Sequence, residues 1–228
     1  MNKKDSKPDY KKLYSIARDR YLKTKYFHSG PFDETYYTLR VYESSKEIIK
    51  MLKSKKVDKN IVLTASILHD IGKTKLSTSK VFGKRGMIKN AKLEWYKHAK
   101  LGKDIARRIL KEEGHSLDFI DKVCFLIENH DKRGKMLKEK SIELQILQDA
   151  DLLADCGFAG FIRPFLYSGM FNHQGVIDSI KYIEHEDNRV ERSNLINLKT
   201  TRILAKKKMN LQRELVKNIK KDIRTDLF

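Results

Sequence analysis

Apolar positions recur along most of this chain at the three- and four-residue steps of a helical face. Val41, Ile48, Ile49 and Leu52 form one stripe, and Ile120, Val123, Cys124 and Ile127 form another. Leu101, Ile105 and Ile109 repeat every fourth residue, and Ile146, Leu147, Ala150 and Leu153 continue the pattern. The run IVLTASILHDI at 61–71 is apolar nearly all round, which predicts a central, buried helix. Gly114, with Ser116 two residues on, reads as a helix stop followed by a start. Proline occurs only at 8, 31 and 164, so long stretches are open to helix. No period-2 alternation bounded by hairpin turns stands out, nor any solenoid repeat. The pattern predicts an all-α, single-domain helical bundle over residues 10–228, behind a flexible basic tail at 1–9. Helices are expected near 10–27, 33–55, 59–71, 89–113, 117–130, 141–157, 173–185 and 194–222. Residues 156–172, with three glycines, one proline and four phenylalanines, predict a short broken helix with apolar walls.

Composition narrows the class. At 228 residues the chain can bury a sizeable core, and 40% apolar content excludes wholesale disorder. No run of about 18 apolar residues exists, so no membrane-spanning helix is expected. The opening MNKKDSKPDYKK lacks a signal-peptide core, which points to a cytoplasmic protein. Cys124 and Cys156, both among apolar residues, are too few for a disulfide scaffold. With 49 Lys+Arg against 30 Asp+Glu, the net charge of +19 favours anionic partners, nucleic acid included. Solvated helix faces account for such an excess equally well. Its distribution says more: between Ile71 and Leu93 lie seven basic residues and no acid. The glycines there predict a mobile cationic loop suited to phosphate.

Histidines mark the ends of apolar helices. His69 and Asp70, in LHDIGK, close the most buried stretch, where a charged carboxylate is costly unless paired or bound to a metal. His98 opens the amphipathic stretch HAKLGKDIARRIL, and His130 ends the apolar stripe in LIENHD. LQDADLLADCG, at 147–157, sinks Asp149, Asp151 and Asp155 into a hydrophobic helix. Each item alone is ordinary. Together they are four clusters on separate helices, and antiparallel helices bring such clusters to one end of a bundle. Imidazole and carboxylate donors suit Mn, Fe, Ni or Zn, and a bound ion of this kind activates water for hydrolysis.

From about Asp33 to the last helix, the sequence resembles the HD-domain metal-dependent phosphohydrolase superfamily. The resemblance rests on HDIGK, on QDADLLADCGFAGFIRPF and on the late segment NLKTTRILAKKKMNLQREL. It looks like the single-domain branch with a DADxL-type segment, its core motifs at 33–160 and its C-terminal helices at 173–222. It implies a helical fold of the HD type and a divalent ion (Mn, Fe, Ni, Zn or Mg). His69 and Asp70 would be paired ligands and Asp151 the distal carboxylate. His98 and His130 match histidines that bind a second metal or contact phosphate in some members. By this resemblance the catalytic residues are His69, Asp70, Lys73, His98 and His130. Lys73 is placed either against a substrate phosphate or as a solvated lysine at a helix end. Asp149 reads as an orienting group, Asp131 either as the group that fixes the His130 tautomer or as an exposed helix end, Arg40 and Arg163 as phosphate contacts, and His115, His173 and His185 as surface residues.

One position departs from the family. Its first metal-binding histidine stands three residues before an arginine in HxxRV, and here YTLRV puts Tyr37 there. His28 lies nine residues earlier and cannot simply substitute. A tyrosine, with a pKa near 10, is a poor ligand at neutral pH. The ion is then held by His69, Asp70 and Asp151 alone, or by a phenolate as well, or the chain has become a binding protein. The leading expectation is a hydrolase cleaving a phosphate or pyrophosphate bond, in a nucleotide. The alternative is a non-catalytic nucleotide or nucleic-acid binder on the same scaffold. Oligomeric state is open, the homodimer being the commonest case.

Overall fold

The computed structural model of the chain describes residues 7–53, 56–133, 141–171, 175–192 and 195–223. Helices begin where a side chain holds the otherwise unpaired N–H groups of a first turn. Asp9 accepts from Lys12 N ahead of α1 (Tyr10–Tyr21), Asp33 from Thr35 and Tyr36 N ahead of α2 (Glu34–Leu52), and Asp58 from Asn60 and Ile61 N ahead of α3 (Lys59–Leu68). Each cap is worth about 1 kcal/mol relative to alanine. Next come a 3-10 turn (Ile71–Lys75), α4 (Thr78–Val81), the strands β1 (Phe82–Gly83) and β2 (Gly86–Met87), α5 (Ala91–Trp95) and α6 (Lys97–Glu112). Ser116 and Ser141 cap α7 (Leu117–Asn129) and α8 (Ile142–Ala154). α9 (Phe158–Phe171), α10 (Val176–Arg192) and α11 (Lys199–Asp222) complete the order.

The expected all-α fold is present, with α3 at its centre. Ile61, Val62, Thr64, Ala65, Ser66, Ile67 and Leu68 are all buried, and α1, α2, α7 and α8 pack around them. Ser66 is absorbed locally, its Oγ bonding Ser45 Oγ (2.7 Å) and the Val62 carbonyl (2.8 Å). A main apolar cluster runs from Leu13 to Met209, and a smaller one joins Ile180, Ile183 and Val216 with Phe161 and Phe165. Gly72 and Gly102 bring the 3-10 turn and α6 into main-chain contact. A Cβ at Gly72 would sit 1.9 Å from the His98 carbonyl oxygen and 2.4 Å from Gly102 N. This contact sets how far the HD segment stands from His98.

Several expectations are corrected. Within the stretch 156–172, Phe158–Phe171 form one continuous helix, α9, with Pro164 inside it. Proline removes one N–H, but Phe161 and Phe165 in the smaller cluster and Phe171 in the main one hold the helix on both sides. The predicted helix at 89–113 is two, α5 and α6, meeting at Tyr96. Glu94 turns inward there to accept from Ser77 N (3.0 Å) and Lys97 Nζ (2.6 Å). The segment after HDIGK is built rather than open. Phe82 is buried among Tyr26, Phe32 and Phe171, and Met87 N donates to Tyr167 Oη (3.0 Å). Its two-residue strands, turning at Gly86 with φ 100°, are too short to show an alternation. Pro8 is buried and Asp9 is a cap, so both belong to the fold; residues 1–6 lie outside the described residues.

Candidate metal centre

Helix ends converge as the spacing of the clusters predicted. His69 and Asp70 follow the last turn of α3, His98 lies in the first turn of α6, and His130 follows α7. Tyr37 on α2 and Asp151 on α8 approach from the other side. His69, Asp70, His98 and His130 are all at most 3% exposed.

The three imidazoles share one orientation. Nδ1 of His69 contacts the Ser66 carbonyl (2.9 Å), Nδ1 of His98 the Trp95 carbonyl (2.7 Å) and Nδ1 of His130 the Ile127 carbonyl (2.6 Å). A carbonyl only accepts, so each Nδ1 carries the proton. Each ring therefore turns its Nε2 toward the centre, the atom that takes either an ion or a second proton. This corrects the expected role of Asp131: the Ile127 carbonyl sets the His130 tautomer, and Asp131 faces the Nε2 atoms instead. Its carboxylate lies 3.2 Å from His98 Nε2 and 3.6 Å from His130 Nε2.

Asp70 is the hub. Oδ1 stands 3.1 Å from His98 Nε2 and 3.6 Å from His130 Nε2, while Oδ2 stands 3.2 Å from His69 Nε2 and 2.6 Å from Lys73 Nζ. Burial pushes the Asp70 carboxyl up, but the Lys73 and His69 charges outweigh it, and the group stays ionised well below the usual carboxylate range. Burial pulls His130 down, yet the Asp131 and Asp70 charges carry it up to about 9. One ligand atom each from Asp70, His98 and His130 lies within 4.8 Å of the others. Two Nε2 atoms 3.2 Å apart, beside two carboxylates, make a place that attracts positive charge, whether ring protons or a divalent ion. These residues therefore fit the divalent ion that the resemblance implies.

The other expected residues are placed as follows. Lys73 is buried, bonded to Asp70 and to Glu34 Oε1 (2.8 Å), with its ammonium 4.8 Å from the Trp95 ring centre. It is neither solvated at a helix end nor free for a phosphate, since two protein carboxylates hold it. Asp151 lies 3.7 Å from His69 Nε2 and accepts from Tyr37 Oη (2.8 Å) and Arg133 (3.0 Å). Burial and the Asp151 charge raise the Tyr37 phenol well above its ordinary pKa, and its hydroxyl is spent on Asp151. Arg163 pairs with Asp155, donates to the Pro31 carbonyl and lies over the Tyr37 ring, as does Arg40. Asp149 accepts from Asn197 N and Leu198 N (both 2.8 Å), which ties down the approach to α11. His115 stacks on Phe119, His185 is exposed, and His173 lies outside the described residues. A cavity of about 380 Å³ lies beside Tyr37, lined by Glu34, Tyr36, Arg40, Phe158, Arg163 and Lys208 among others.

Sequence reasoning missed Glu34, Arg133 and the inward face of Asp131. Glu34 stands one helical turn before Tyr37 and shares its face, a signal available from spacing alone. Arg133 carried none, because its partner lies on another helix.

Residues 36–155, which enclose every one of the proposed ligands, match the HD domain. The chain is 29% identical to the uncharacterised protein YpgQ of Bacillus subtilis (strain 168) over 176 residues, 74% of this chain and 75% of that one. The fold resembles the crystal structure of B. subtilis YpgQ in complex with ADP, with a TM-score of 0.65 and 19% identity over 94% of this chain and 98% of that one. It also resembles an HD-superfamily hydrolase from Bacillus thuringiensis, with a TM-score of 0.61 and 19% identity over 93% and 95% of the two chains. Among the described residues, no helix is long and apolar enough to cross a membrane. With more than half its length matched to that domain, and with the helical architecture of its structural relatives, the chain belongs to the HD domain family.

Proposed function

We propose that the protein is a metal-dependent phosphohydrolase that cleaves a phosphate or pyrophosphate bond in a nucleotide. The observation that carries this reading is the convergence of two inward-facing Nε2 atoms, 3.2 Å apart, on the ionised Asp70. Asp70, His98 and His130 would hold the ion, and when bound it acidifies water and offsets charge on phosphate oxygens. The protein's own groups prepare that place. Lys73 keeps Asp70 ionised, and the carbonyls of Trp95 and Ile127 fix both rings with Nε2 inward. Burial excludes bulk water from the histidines, while Asp131, with its side chain 33% exposed, marks the open side.

Membership of the HD family supports the hydrolase, and the relative YpgQ in complex with ADP supports the nucleotide. The cavity beside Tyr37 suits such a ligand, with Arg40 and Lys208 for phosphate and the exposed rings of Tyr36 and Phe158 for a base. In a panel of nucleoside mono-, di- and triphosphates with Mn2+, we expect release of phosphate or pyrophosphate, and its loss in Asp70→Ala. Turnover unchanged in that variant overturns the assignment.

A second reading, binding without turnover, rests on Tyr37, which commits its hydroxyl to Asp151 where the family has a metal-binding histidine. It predicts nucleotide or nucleic-acid binding that weakens steeply between about 50 and 200 mM salt, with no hydrolysis in metal-replete buffer.

A further inference from the structure

Asp70 divides the centre into two halves that the protein has furnished differently. In the half facing His69, the carboxylate oxygens already accept from protein donors. Lys73 Nζ lies 2.6 Å from Asp70 Oδ2, the Tyr37 hydroxyl donates to Asp151 Oδ1 (2.8 Å), and Arg133 donates to Asp151 Oδ2 (3.0 Å). One ammonium and one guanidinium stand there, so an entering dication meets like charge. Arg133 is the guanidinium, and it holds the carboxylate that the resemblance made a ligand.

The half facing His98 has the opposite character. Asp70 Oδ1 and Asp131 Oδ2 lie 3.1 and 3.2 Å from His98 Nε2, and both carboxylates lie 3.6 Å from His130 Nε2. Both rings are fixed with Nε2 inward, and the two nitrogens are 3.2 Å apart. Among the described residues, no lysine, arginine or hydroxyl donates into this half. Two nitrogens and two carboxylates, on a side that no lysine or arginine enters, form the donor set of a first-row divalent ion. The partial exposure of Asp131 leaves a side where water or substrate can reach it.

We propose that this chain holds a single divalent ion, at Asp70, His98, His130 and Asp131, and that Tyr37 and Arg133 close the His69–Asp151 half to metal. The inference rests on the metal-dependent reading above and goes beyond it in the number of ions and in naming Asp131. Tyr37 is then an exchange rather than a loss. The family's ligand is replaced by a hydroxyl donor that, with Arg133, satisfies Asp151 without an ion.

The test is metal content by plasma mass spectrometry, with Mn2+ affinity by titration calorimetry, on full-length protein loaded with Mn2+ and desalted. We expect one equivalent in the unaltered chain and in Asp151→Asn, and none in His98→Ala or His130→Ala. His98→Gln, closer in volume, serves as the second variant where alanine disturbs folding, and circular dichroism in chelator verifies that each variant is folded. Asp131→Asn should weaken Mn2+ binding about 10- to 100-fold, the range typical of a lost partner in a metal site. Tyr37→His combined with Arg133→Ala should raise the content to two equivalents. Two equivalents in the unaltered chain, or an ion lost in Asp151→Asn and kept in His98→Gln, overturns the proposal and leaves metal dependence standing. No Mn2+ bound by the unaltered chain overturns both.

Discussion

Glu34 is the group whose behaviour departs most from its surface counterpart. It is buried, its Oε1 accepts from Lys73, and its Oε2 has no hydrogen-bond partner. Burial raises its pKa from the ordinary 4.5 to about 7, against a downward pull from the Lys73 ammonium and a further rise from Asp70. A carboxyl raised in the folded chain binds its proton more tightly there than in the unfolded chain. Its contribution to stability is fully present below about 4.5 and is lost as pH climbs through about 7. Glu34→Gln should flatten the fall in unfolding free energy between those two values, read from urea titrations at half-unit pH steps. The sequence made His69, Asp70, His98 and His130 legible because each polar residue interrupts or ends an apolar helix. Glu34 and the fate of Lys73 were hidden, since their bond joins positions 39 apart and no local pattern announces an ion pair between elements. Asp131 was visible, but its direction was not. A ring's second nitrogen is assigned only once the partner of the first is known.

Among the elements, α3 was the easiest to anticipate, because a stretch apolar on every side has nowhere to go but the centre. α9 and the short hairpin were the hardest. Proline and glycine reduce the local preference for helix, and only the aromatic contacts of Phe82, Phe171 and Tyr167 show why these segments are ordered. The break between α5 and α6 comes from Glu94 reaching back to Ser77, a contact that helical periodicity does not encode. The junction of the 3-10 turn with α6 supports a sharp prediction. A methyl at Gly72 would meet main-chain atoms of His98 and Gly102, which cannot rotate aside as a side chain can. Gly72→Ala should cost about 3 kcal/mol or more, beyond ordinary overpacking. It should also reduce bound Mn2+, because the strain is relieved by moving His98 away from Asp70. Urea unfolding and metal content on the same sample check both effects.

For the whole molecule, the fold class followed from periodicity alone. The partition of the core did not, because the smaller cluster around Ile180, Ile183 and Val216 depends on how α9, α10 and α11 meet. An ion that binds only the folded chain stabilises all of it. At a hundredfold excess over its dissociation constant, Mn2+ should add about 2.7 kcal/mol, or roughly 5–10 °C in Tm for a chain of this size. Calorimetry with Mn2+ and then with excess chelator checks the sign and the reversibility. A metal-independent Tm would mean that the folded state does not bind the ion. The close approach of Gly72 to Gly102 has a consequence for divergence. The two sides of the centre are gauged against each other by main chain, so the spacing between Asp70 and His98 does not depend on which apolar side chains fill the bundle. Core residues are then free to drift in size and kind while that spacing holds, and the tolerance is concentrated in two positions that lack a side chain altogether.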